Sequence, residues 1–173
     1  YAVEVTHPEN DLVTGAGSGV TTGTNTVYKN SVTHEGGIIT TRILVDLTGL
    51  ASPAAGDVIG KASAANSHFG QITAAQNGTI IAGLITCLAA PGGGEPDIDV
   101  YSAPEATLAE DSAISASSGE AELLAAAADW TINTAKALTA LPAADQYLYL
   151  VASGGGDNDN YTAGKFLIEL WGV

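Results

Sequence analysis

Alternation of hydrophobic and polar positions is strongest in Ile38-Ile39-Thr40-Thr41-Arg42-Ile43-Leu44-Val45-Asp46-Leu47, a β-branched run that ends at Thr48-Gly49. Branched side chains fit a pleated, half-buried surface, so the period of two predicts a long strand. Ile39, Thr41, Ile43, Val45 and Leu47 fall on one face, whereas Arg42 and Asp46 turn the other face polar. That is the pattern of an antiparallel strand with one face in a core. Residues 71–76 and 79–88 flank Asn77-Gly78, the favoured pair for a type I′ turn, and predict a β-hairpin. Pro91-Gly92-Gly93-Gly94 ends it, and residues 95–102 form the next predicted strand, with Asp97, Asp99 and Tyr101 opposite Ile98 and Val100. A short strand is predicted at 57–61, and residues 146–152 and 163–171 predict two more, neighbours in a meander.

Between residues 103 and 145 the β-branched residues thin out and alanine dominates. Ser117-Ser118-Gly119-Glu120 has a serine three residues before a glutamate, a capping box that predicts one short helix over 121–130. A second helical turn is predicted at 134–139, closed by Leu141-Pro142. Residues 1–36 are polar and rich in Gly, Thr and Asn, with strand-like pieces at 1–6 and 26–29, and predict an N-terminal arm with loops. The expected fold is mainly β: a single-domain antiparallel β-sandwich over residues 37–173, jelly-roll-like, with one short inserted helix.

Composition narrows the partners. Five Lys+Arg against 19 Asp+Glu give a formal charge of −14, which repels nucleic acid and anionic membranes. Aromatics at 6% beside 21 glycines predict a thin core of small side chains, and 14% charged residues against 46% hydrophobic ones predict a surface partly covered by copies or partners. A single cysteine excludes a disulfide within one chain, and Cys87 lies in the apolar run Ile80–Leu88, where a buried inert thiol is expected. No run approaches the roughly 20 apolar residues of a membrane span and no basic-then-apolar leader opens the sequence, so the chain is expected to be soluble.

The chemistry-bearing residues are sparse. His7, His34 and His68 have no His or Cys at metal-ligand spacing. Gly15-Ala16-Gly17-Ser18-Gly19 carries neither the Lys-Ser/Thr of a phosphate loop nor the flanking elements of a nucleophile elbow. Asn77-Gly78-Thr79 and Asn160-Tyr161-Thr162 match the glycosylation sequon, the first being explained by turn chemistry. Carboxylates are the abundant reactive group, in two clusters: Glu95, Asp97 and Asp99 along a strand face, and Asp157 and Asp159 with Asn158 and Asn160 in a Gly-rich loop. Either set offers oxygen ligands to Ca²⁺, although neither follows the EF-hand spacing, and a solvated acidic surface is the competing reading. No catalytic residues are assigned, and no enzyme activity or other cofactor is expected. Apolar residues of the arm (Tyr1, Val3, Val5, Val27, Tyr28), with Tyr147 and Tyr149 on the doubly apolar strand 146–152, are the candidates for subunit contact.

Several segments are familiar as a set: Val5-Thr6-His7-Pro8-Glu9-Asn10, the strand from Ile39 to Gly49, Gly70-Gln71-Ile72-Thr73-Ala74-Ala75, Pro96-Asp97-Ile98-Asp99-Val100-Tyr101-Ser102-Ala103, and Tyr161 to Gly172. Across nearly the whole chain they resemble a group of small virion structural proteins of marine tailed phages. The resemblance carries no catalytic or ligand motif. It implies a capsid decoration or cement protein on the virion surface, bound to the major capsid protein and to copies of itself, with a homotrimer expected by analogy. Two other readings stay open: a carbohydrate-binding or adhesive module of a tail fibre or cell surface, with calcium at a sugar site, and a self-assembling extracellular filament or shell protein.

Overall fold

A computed structural model describes residues 15–21, 28–51, 54–154 and 160–173. Along the chain come α1 (Ser18–Thr21), β1 (Tyr28–Glu35), β2 (Ile38–Asp46), β3 (Gln71–Ile72), α2 (Ala74–Asn77) and β4 (Ile80–Gly92). They are followed by β5 (Ile98–Ala103), a 3₁₀ turn (Ile114–Ala116), β6 (Ala121–Leu124), β7 (Ala135–Ala137), β8 (Gln146–Ala152) and β9 (Ala163–Gly172). The strands form a five-stranded sheet in the order β1-β2-β9-β4-β7 and a four-stranded sheet in the order β3-β8-β5-β6.

The pairings follow one rule. β2 pairs with β9, β3 with β8, β4 with β7 and β5 with β6, all antiparallel, as in one long hairpin whose two arms run side by side. The hairpin is then rolled up so that β9 meets β4 in one sheet and β8 meets β5 in the other. An antiparallel ribbon rolled this way into two packed sheets is a jelly roll, and β1 extends it at one edge. The expected antiparallel β-sandwich is therefore what these residues form.

The core lies between the sheets. Ile43, Val45, Ile85, Phe166, Ile168 and Leu170 face Ile98, Val100, Leu123, Leu148 and Leu150, all 0–1% exposed. Full burial of each such side chain contributes about 1.5–3 kcal/mol relative to exposure. The expected inner face of β2 is realised in Thr41, Ile43 and Val45. A second cluster covers the other side of the four-stranded sheet, where Tyr149 and Val151 of β8 pack against Val58, Leu108 and Ile114 from loops of the same chain. β8 is apolar on both faces because it is covered on both, from within.

Five expectations are corrected. The helix over 121–130 does not form: residues 121–124 pair with β5, and tertiary pairing outweighs the helix propensity of an alanine run too short to hold alone. The turn at 134–139 is instead β7, paired with β4. Asn77-Gly78 does not join two paired strands; β3 pairs with β8 and residues 74–77 make one helical turn. β8 and β9 are not neighbours, since they lie in opposite sheets. Finally, the sandwich begins before residue 37. β1 pairs with β2 through all eight residues, and Gly17 and Gly19 donate to the Asn66–His68 segment, burying Val20 completely.

Candidate functional site

The acidic strand cluster is a structural knot. Asp99 is buried, and its Oδ1 accepts the Ala126 N–H at 2.6 Å; the Ala126 carbonyl in turn accepts from Lys136 Nζ. Lys136 Nζ lies 4.5 Å from the centroid of the Trp130 ring, and Trp130 Nε1 donates to the Ile98 carbonyl at 2.8 Å. Glu95 Oε1 accepts the Asp97 N–H at 3.0 Å, and the Glu95 carbonyl accepts from the Tyr161 hydroxyl at 2.8 Å. Burial, then the charges of Asp99 and Glu95, raise the Asp97 carboxyl above its ordinary value, against the pull of Lys136. Among the described residues no group of three or more His, Cys, Asp or Glu side chains is placed to hold a metal. The other acidic pair, Asp157 and Asp159, lies outside the described residues.

The candidate contact residues separate in the same way. Tyr1, Val3, Val5 and Val27 lie outside the described residues. Tyr28 is half-buried and donates to the Phe69 carbonyl at 2.8 Å, and burial raises its phenol above the ordinary value, against a hydrogen bond from Asn30. Tyr149 is corrected as a contact residue: it is fully buried and donates to the Glu105 carbonyl, so its side chain is spent inside its own chain. Tyr147 is half-buried against the His68 ring, with centroids 4.7 Å apart.

Among the described residues, one surface open to a partner is the outward face of the five-stranded sheet. The registers of β1, β2, β9 and β4 place Leu44, Leu167 and Thr86 in one row and Arg42, Glu169 and Leu84 in the next, with Thr40, Trp171 and Ala82 in a third. Leu44, Leu84, Leu167 and Trp171 are half-buried there, and Ile38 is exposed at the end of β2. Arg42 Nε meets Glu169 Oε1 at 2.8 Å in the middle of the face, and Lys165 Nζ lies 3.5 Å from Asp46 Oδ2. Burial raises the Asp46 carboxyl, but hydrogen bonds from Thr48 and the charge of Lys165 outweigh it and leave the group below its ordinary range.

Lys29, Arg42 and Lys165 balance Glu35, Asp46 and Glu169 on this face, so it is neutral on a chain whose formal charge is −14. No family model matches this chain, and neither a curated protein nor a solved structure does. Sequence reasoning anticipated the polar positions Arg42 and Asp46 but missed the face as a unit, because its rows come from strands far apart in the chain. Its one local signal is the alternation of Lys165, Leu167, Glu169 and Trp171 along β9.

Proposed function

We propose that this chain is a non-enzymatic virion structural protein that decorates a phage capsid, seated on the shell through the outward face of its five-stranded sheet. The observation that carries the reading is that face: half-buried apolar side chains among paired charges, neutral in sum, on a chain whose formal charge is −14. A sheet face of mixed apolar side chains and matched charges suits burial against a partner, and the acidic remainder keeps the protein off the packaged nucleic acid. The jelly roll supports the reading only as an analogy, since viral coat and lectin domains share it. The adhesive alternative needs calcium-held carboxylates, and within the strand cluster the Asp99 carboxylate is already bound to the Ala126 N–H.

The test is electron cryomicroscopy of particles carrying the protein, read for copy number and contact face. Many copies at local symmetry axes, with Leu167 and Trp171 against the shell, are expected. A handful at one vertex or on a tail would move the assignment to adhesion. Leu167→Glu should abolish decoration of stripped particles while leaving the fold intact by circular dichroism.

A further inference from the structure

We infer that β1 is the seam of a two-fold dimer, pairing antiparallel with β1 of a second copy about Val32. The inference rests on the sheet edge and stands apart from the coat reading. A sheet edge offers unpaired N–H and C=O groups, and proteins blunt such edges by shortening, bending or covering the strand. Three of the four edges here are short: β3 has two residues, β7 three and β6 four. β1 has eight, in unbroken register with β2, without proline, and no strand lies beyond it among the described residues.

The sequence of β1 is self-complementary about its middle. In an antiparallel pairing centred on Val32, Lys29 faces Glu35 of the second copy and Ser31 faces Thr33, and symmetry repeats each pair. Lys29, Ser31, Thr33 and Glu35 are all exposed on the outward face, so the facing pairs share one side of the joined sheet. Opposite charges and hydroxyl pairs directly across antiparallel strands are stabilising, and like charges there are destabilising. The occupant is a second copy because the edge matches itself, and because this neutral side of the molecule is where two chains of formal charge −14 can approach.

Sedimentation velocity on the full chain tests the seam, with K29E, E35K and the double swap. Wild type should run at twice 17.3 kDa. Each single reversal places two like-charged pairs in the seam and should weaken the dimer about tenfold, while the double swap restores it. E35K is the decisive variant: it lowers the net negative charge, so general repulsion predicts a tighter dimer and the seam predicts a weaker one. A monomeric or trimeric wild type, a tighter E35K dimer, or single reversals without effect would overturn the inference. So would single reversals that the double swap fails to rescue while circular dichroism stays native.

Discussion

The imidazole of His68 lies 4.7 Å from the Tyr147 ring, tilted 59°, and 6.3 Å from the Tyr149 ring at a near-perpendicular 78°. His68 is 8% exposed, its Nδ1 accepts the Gly70 N–H at 3.3 Å, and burial holds its pKa below the ordinary 6.5. The folded state therefore favours the neutral ring. The unfolded chain takes up a proton first as pH falls through 6.5, so stability declines from there until the folded histidine also protonates. One proton sets a ceiling of about 1.4 kcal/mol per pH unit, which the ring's residual contact with solvent reduces. His68→Phe should flatten the dependence of Tm on pH between 7 and about 5. Asp57 and Asp97 have carboxyls raised chiefly by burial and act with the opposite sign, in the wild type and in the variant alike. An unchanged slope in His68→Phe would count against the assignment.

Asn77 carries more of the fold than its turn-like neighbourhood suggests. Fully buried, it donates from Nδ2 to Thr41 Oγ1 and accepts the Thr73 N–H on Oδ1, each at 2.8 Å. Asn77→Ala strands both partners, and each buried unsatisfied group costs about 1–3 kcal/mol. Urea denaturation should show a loss of about 2 kcal/mol or more with an unchanged m-value.

That residue also marks where the sequence was legible. β2, β8 and β9 could be placed from branched side chains and period two, because those signals are local. Asn77-Gly78 carried a strong local signal too, yet the turn it prefers lost to a buried side chain bridging β2 and the start of α2. A hydrogen bond between residues 36 positions apart leaves no trace in the spacing. The alanine run at 125–128 failed for the same reason: Trp130, edge-on to Phe166 at 5.3 Å, and the carboxylate of Asp99 hold that segment from across the fold. Of the candidate site, single charged positions were visible, whereas the neutral face needed four strands brought together.

The Asp99 carboxylate, through Ala126 and Lys136, fixes the loop that carries Trp130. Asp99→Ala leaves the Ala126 N–H without its acceptor and should cost about 1–3 kcal/mol, while Asp99→Asn keeps an acceptor and should cost less. The difference between the two variants should be the same in calcium and in chelator. A loss that disappears in chelator would instead make Asp99 a metal ligand.

Cys87 provides a probe of how the sandwich opens. It is fully buried, its N–H donates to the Thr134 carbonyl at 2.8 Å, and its own carbonyl accepts from Asn133 at 2.8 Å. Burial pushes the thiol up, against a hydrogen bond from the Ala89 backbone, and only the thiolate attacks disulfide reagents. Native protein should therefore stay unlabelled by an aromatic disulfide at neutral pH, and react at once in denaturant. Slow labelling under native conditions reports opening free energy when reclosing is fast. If the route is global unfolding, Asn77→Ala should accelerate labelling by the factor its urea-derived stability loss dictates. Labelling that ignores Asn77→Ala but quickens in Asp99→Ala would place the opening in the loop of residues 125–134, leaving the rest of the jelly roll closed.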